Sequence, residues 1–110
     1  MFGSKRKEIR KIGSAFDRLL NYTLKKDEDL NTQLIDLADI LMANRPILAN
    51  FEEIKSVSEV NYAISFLSGV VYALGGTVYS LGNEIRLFAT GVAFEDGSLQ
   101  KYVKDFGNEN

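Results

Sequence analysis

Apolar positions along this chain change period several times, and each change marks an element. Ile9, Ile12, Phe16, Leu19 and Leu20 recur at steps of three and four, with Lys7, Arg10, Lys11, Ser14 and Arg18 on the opposite side. That spacing predicts an amphipathic helix, weakened by Gly13. Asn21 to Lys25, NYTLK, reads as a short strand followed by the charged turn KDED. The helical period returns from Leu30 to Ala43, where Leu30, Leu34, Leu37, Ala38 and Leu41 share a side and Asp29 stands at the N-cap. Asn44, Arg45 and Pro46 stop that helix. Ile47 to Phe51, ILANF, is mostly apolar without polar alternation, as expected of an interior strand covered on both faces. Strand, helix and strand together predict a right-handed parallel unit.

SVSE at 56–59 has the form of a capping box, with Ser56 accepting from the Glu59 N–H and the Glu59 carboxylate returning to Ser56. The helix it opens runs to Leu74, where Gly75 supplies the left-handed residue that ends it. TVYSL and EIRLFAT then flank Gly82-Asn83, a two-residue loop of the hairpin kind. Alternation puts Ile85, Leu87 and Ala89 on one face of the second strand and Arg86, Phe88 and Thr90 on the other. After the Asp96-Gly97 turn, Leu99, Tyr102, Val103 and Phe106 fit a short amphipathic helix before the tail GNEN. The expected fold is a small two-layer α/β sandwich: a β-α-β-α-β-β core with an N-terminal amphipathic helix and a short C-terminal helix. Its divisions are an arm over 1–19, the core over 20–106 and a polar tail over 107–110.

The helix at 57–74 is apolar nearly all round. Val57, Val60, Ile64, Leu67, Val71 and Leu74 form a stripe wide enough to cover a sheet. Tyr62, Phe66, Gly69, Val70 and Ala73 form a second stripe roughly opposite, along which Ser65, Gly69 and Ala73 are small at every fourth position. Gly69 costs such a helix roughly 1 kcal/mol relative to Ala. Small residues at this spacing let another helix approach closely. Two covers fit: the first helix of the domain within the monomer, or the two-fold copy of the same helix. The copy is the more economical, because an isologous contact needs one self-complementary patch.

Charge adds an asymmetry. The 110 residues carry a net charge of −2, yet residues 1–20 hold six basic side chains against Glu8 and Asp17. A basic arm therefore joins an acidic body. A face of this kind fits an anionic membrane, each Lys or Arg near the surface contributing about 1 kcal/mol, while Phe16, Leu19 and Leu20 could equally dock on the body. No run of about 18 apolar residues is present and the start lacks a secretory h-region, so a cytosolic protein is expected. With no Cys and no His, disulfides, thiol nucleophiles, His-centred triads and the usual zinc sites are excluded. Gly75-Gly76 and Gly82 fit no phosphate-loop spacing. The carboxylates Asp27, Glu28 and Asp29 fit a solvated turn with a cap, and Glu52-Glu53 a loop. No catalytic constellation and no metal or cofactor site is expected. Nucleic-acid binding is disfavoured, since only Phe2 and Phe16 punctuate the basic arm and the body is acidic.

The run FLSGVVYALGGTVYSLGNEIRLFAT, Phe66 to Thr90, resembles the core of the SepF family of cell-division proteins. The preceding helix ending at Asn44-Arg45, the strand PILANF and the capped helix fall in the same order, so the likeness covers roughly residues 20–92. The resemblance implies a non-enzymatic, homodimeric cytoplasmic adaptor, peripheral on the inner membrane face at the division site. Such an adaptor tethers the tubulin-like protein FtsZ by its C-terminal peptide and is able to form higher polymers. It places the subunit contact on Tyr62, Ser65, Phe66, Gly69, Val70 and Ala73. Membrane binding maps onto Phe2, Lys5, Arg6, Lys7, Ile9, Arg10, Lys11, Ile12 and Phe16, and the FtsZ peptide onto Tyr79, Glu84, Arg86 and Phe88. The short join between arm and core resembles the archaeal branch. Arg86 replaces a commonly apolar residue and Ala89-Thr90-Gly91 replaces a frequent Thr-Pro ending. A scaffold or regulatory domain that shares the fold without FtsZ binding is the alternative.

Overall fold

The computed structural model describes residues 13–106. Strand β1 (Leu20–Thr23) leads into helix α1 (Leu30–Met42), strand β2 (Ile47–Asn50), helix α2 (Val57–Ala73) and the hairpin β3 (Thr77–Ser80) and β4 (Ile85–Ala89). A 3-10 turn (Val92–Phe94) and helix α3 (Ser98–Phe106) follow. The sheet order is β1-β2-β4-β3, with β1 and β2 parallel and the other pairs antiparallel. The expected small two-layer α/β sandwich is thus the fold found. The N-terminal helix expected over 1–19 lies outside the described residues as far as residue 12; beyond it the structure departs from the expectation, since residues 15–18 form a turn and Leu20 already belongs to β1. The tail over 107–110 also lies outside them.

Local chemistry explains most boundaries. Asp29 caps α1 by accepting from the Thr32 N–H and the Thr32 hydroxyl, both at 2.9 Å. Those bonds stabilise the carboxylate and hold its pKa below the ordinary value. Asn44 turns the chain at the end of α1 with φ +65°. At the end of α2, Gly75 takes φ +72° while Gly75 N–H donates to Tyr72 O and Gly76 N–H to Val71 O, the paired bonds of a Schellman cap. Half of the expected capping box forms: Glu59 N–H donates to Ser56 Oγ at 3.3 Å, while the Glu59 carboxylate makes no return bond to the Ser56 N–H and the Ser56 hydroxyl meets Ser58 Oγ at 3.0 Å.

Register divides the sheet into two faces. Leu20, Ile47, Phe88 and Val78 form one cross-strand row and Tyr22, Ala49, Arg86 and Ser80 the next. This face carries α1 and α2, whose Leu34, Leu37, Leu41, Ala63, Leu67 and Val71 pack with Ile47, Ala49 and Phe88. Leu87 and Ala89 point to the opposite face, where Ala89 is buried with Ala15, Ala93 and Leu99. Gln33 closes the β1–α1 turn from inside: its Oε1 accepts from the Tyr22 hydroxyl and the Lys25 N–H at 2.8 Å, and its Nε2 donates to Lys25 O. Burial, with Glu28 and Asp36 nearby, raises the Tyr22 pKa.

Two expectations are corrected. Leu81 N–H donates to Ile85 O, so the hairpin loop holds three residues, 82–84, where two were expected. The sheet-facing stripe of α2 is shorter than its sequence suggests, because Val57 is 73 % exposed and Leu74 39 %. A 17-residue helix spans about 25 Å and a four-residue strand about 13 Å, so both helix ends overhang the sheet. Ala63 joins Leu67 and Val71 as the buried centre of the helix instead.

Candidate functional site

Of the residues expected at a subunit contact, Tyr62, Ser65, Phe66, Gly69 and Ala73 are exposed on the outer surface of α2, while Val70 is half-buried against the core. Helix α1 lies beside α2 and does not cover them. Among the described residues a Cβ built on Gly69 would meet nothing within 4 Å, so their packing has no steric need for this glycine. Cover by the first helix of the domain is thereby removed as the explanation for Gly69.

The Tyr62 hydroxyl donates to Asn31 Oδ1 of α1 at 2.9 Å and ties the two helices near their starts. Both helices run antiparallel to β2, so they rise together. Ile35 and Phe66, one turn on from the tied pair, therefore lie at about the same level, and Met42 and Ala73 near the far end. Ile35 and Met42 are each 56 % exposed. Together these side chains give the helix layer an apolar outer surface rimmed by polar residues, of the kind that marks a contact site. Sequence reasoning missed Ile35 and Met42. The available signal was two apolar residues lying off the buried stripe of α1.

The four residues expected at an FtsZ-peptide site do not share a surface. Phe88 is fully buried under the helices. Tyr79 pairs with Leu87 on the opposite sheet face, where its ring meets Phe94 edge-on at 5.9 Å. Glu84 and Arg86 do come together, at the mouth of a groove of about 260 Å³ lined by Phe51, Ile54, Val57, Val60 and Ile64. Among the described residues Arg86 Nη1 donates to backbone carbonyls, Gly82 O and Ile85 O at 3.4 and 3.3 Å. An apolar floor with a cation and a carboxylate at one end suits an extended or helical peptide more than a small polar metabolite. Ile54 and the exposed Val57 belong to this groove and were not anticipated as site residues.

Phe2, Lys5, Arg6, Lys7, Ile9, Arg10, Lys11 and Ile12 lie outside the described residues. Phe16 is 43 % exposed, with its ring 5.2 Å from that of Tyr102 on α3. No helix among the described residues is long and apolar enough to cross a membrane. Nor do those residues bring together three metal-ligating side chains.

Residues 30–91, more than half of the chain, match the model of a protein family described as cell division protein SepF. The matched segment runs from the first residue of α1 to just past β4, and so includes both the outer helix surface and the groove. No curated protein matches the chain.

Proposed function

The chain belongs to the SepF family and is a cell division protein, and from that premise we propose that it acts as a non-enzymatic adaptor, dimerising through the outer surface of α1 and α2 and tethering FtsZ by its C-terminal peptide. The family match over the helix layer and hairpin carries the proposal. The open environment of Gly69 supports the dimer, since the glycine weakens α2 and relieves no clash within the monomer. The groove between α2 and the hairpin supports a peptide site, with Phe51, Val57, Val60 and Ile64 as its floor and Arg86 beside Glu84 setting the peptide's direction. Phe88 acts in this site from below, as a support for the helices. The basic arm acts as the membrane contact, peripheral on the cytoplasmic face, and pairing two arms in a dimer strengthens a weak anchor by effective concentration.

Titration of the full chain with a synthetic C-terminal peptide of the host's FtsZ tests the adaptor role. Saturable binding is expected, weakened about tenfold or more by Ile64→Asp, which places a charge on the groove floor. A dimer that shows no peptide binding would instead make the protein a self-assembling scaffold. Gly69→Leu should give a folded monomer in analytical ultracentrifugation, whereas a dimer unaffected by it would locate the contact elsewhere.

A further inference from the structure

The segment that joins the basic arm to β1 is attached to the body at two places: next to β1, Arg45 Nε donates to Arg18 O at 2.7 Å, and further out residues 15 and 16 are held separately. Asp96 Oδ2 accepts from the Ala15 N–H at 2.7 Å, and Asp96 Oδ1 accepts from the Ser98 N–H and the Ser98 hydroxyl at 2.9 and 2.7 Å. Ser98 Oγ in turn accepts from the Phe16 N–H at 2.9 Å. Two successive amides of the N-terminal segment therefore depend on two side chains 81 and 82 positions along the chain from them. The segment shapes its own turn, since Ser14 N–H donates to the Asp17 carboxylate and Asp17 N–H to Ser14 Oγ. The attachment of residues 15 and 16, by contrast, comes from the start of α3.

Apolar contact is only part of that attachment. Ala15 is buried with Ala89, Ala93 and Leu99, but an alanine offers one methyl group. The neighbouring Phe16 ring remains partly open to water against Tyr102. Hydrogen bonds to an ionised carboxylate are roughly twice as strong as neutral ones, so the Asp96 bonds carry a large share.

We propose that Asp96 and Ser98 form a latch that pins residues 14–17 to the start of α3, and that its opening frees the root of the basic arm without unfolding the core. The closed latch fixes where the arm leaves the body: on the sheet face opposite the helix layer. Opening is local, because the elements beneath the segment hold one another through β4, the 3-10 turn and α3. This inference does not depend on what the arm binds.

Amide hydrogen exchange on the full chain tests it. In the wild type the Ala15 and Phe16 amides should be protected. Asp96→Ala should accelerate both by about tenfold or more, the lower end for hydrogen bonds to a charged group, with α1 and β4 unchanged. Ser98→Ala should accelerate Phe16 more than Ala15. Unprotected Ala15 and Phe16 amides in the wild type would overturn the latch, as would protection that survives Asp96→Ala. Acceleration spread evenly over the core would overturn it too, by showing that Asp96 supports global stability.

Discussion

The two faces of the sheet are covered by different means. On one face two regular helices supply a continuous apolar layer, with Leu34, Leu37, Leu41, Ala63, Leu67 and Val71 meeting Ile47, Ala49 and Phe88. That layer has a second, outward surface on which Ile35, Met42, Tyr62 and Phe66 remain in water. On the other face the cover is assembled from the N-terminal turn, a 3-10 turn and α3, around the small side chains Ala15, Ala89 and Ala93 with Leu99. Polar bonds from Asp96 and Ser98 hold its N-terminal part. The first cover is strong and leaves apolar surface for a partner. The second is weaker and sits where the basic arm leaves the body, so attachment and release are concentrated there.

The largest expected effect tests whether the two sides of α2 differ as much as their burial indicates. Leu67→Ala removes a side chain from the centre of the core and should cost about 2–5 kcal/mol in denaturant unfolding. Phe66→Ala, next to it but outward, should cost the monomer less than about 1 kcal/mol while weakening self-association in sedimentation. Equal stability losses would mean that the outward surface is part of the monomer's core.

A pair of glycines sharpens the comparison. A Cβ on Gly76 would lie 2.0 Å from the Ala89 carbonyl oxygen and 2.6 Å from Thr90 Cα, both backbone atoms of the strand end. Gly76→Ala should therefore destabilise the protein by about 3 kcal/mol, the upper range of overpacking. Gly69→Ala meets open space and should raise monomer stability by about 0.5–1 kcal/mol through the helix alone, measured by thermal unfolding at low concentration. One glycine is required by the fold, and the other is not required by the packing of the described residues.

Acid should loosen the Asp96 bonds on the opposite face before it opens the sheet. Hydrogen bonds from Ser98 and Ala15, aided by the charge of Arg18, hold the Asp96 carboxyl below its ordinary value of 3.8. Because the folded pKa is depressed, this contribution is fully present above the unfolded value and is lost as pH falls through the folded one. Protection of Ala15 and Phe16 should therefore decline below about pH 4, before the β2–β4 ladder opens. Asp29 follows the same rule at the start of α1, so fraying there is expected over the same range. Loss of Ala15 and Phe16 protection already between pH 6 and 5 would point to another titrating group.

Much of this molecule was legible because its signals are short-range. The Asp29 cap and the Gly75 stop follow from backbone groups within a few residues of each side chain. The alternation that separates Arg86 and Phe88 from Leu87 and Ala89 follows from the strand period alone. What the alternation could not say is which face the helices cover. The expected peptide site therefore joined Tyr79 to Arg86 and Phe88, which the register places on opposite sides of the sheet. The two-residue hairpin loop failed for a related reason: Leu81 lies opposite Ile85 where a two-residue loop would need Glu84, and that register is set by how the two strands pair.

The sequence by itself determined the order of the strands and α-helices from β1 to α3, the two-sided character of α2 and the family, since each rests on local periodicity or on a contiguous motif. Tertiary structure decided that Gly69 stands free while Gly76 is enclosed, although both are glycines in one apolar run. It also decided that Asp96 holds Ala15. Spacing along the chain is fixed by backbone geometry, but a contact across 81 residues exists only once the sheet has brought the two ends of the core to the same face.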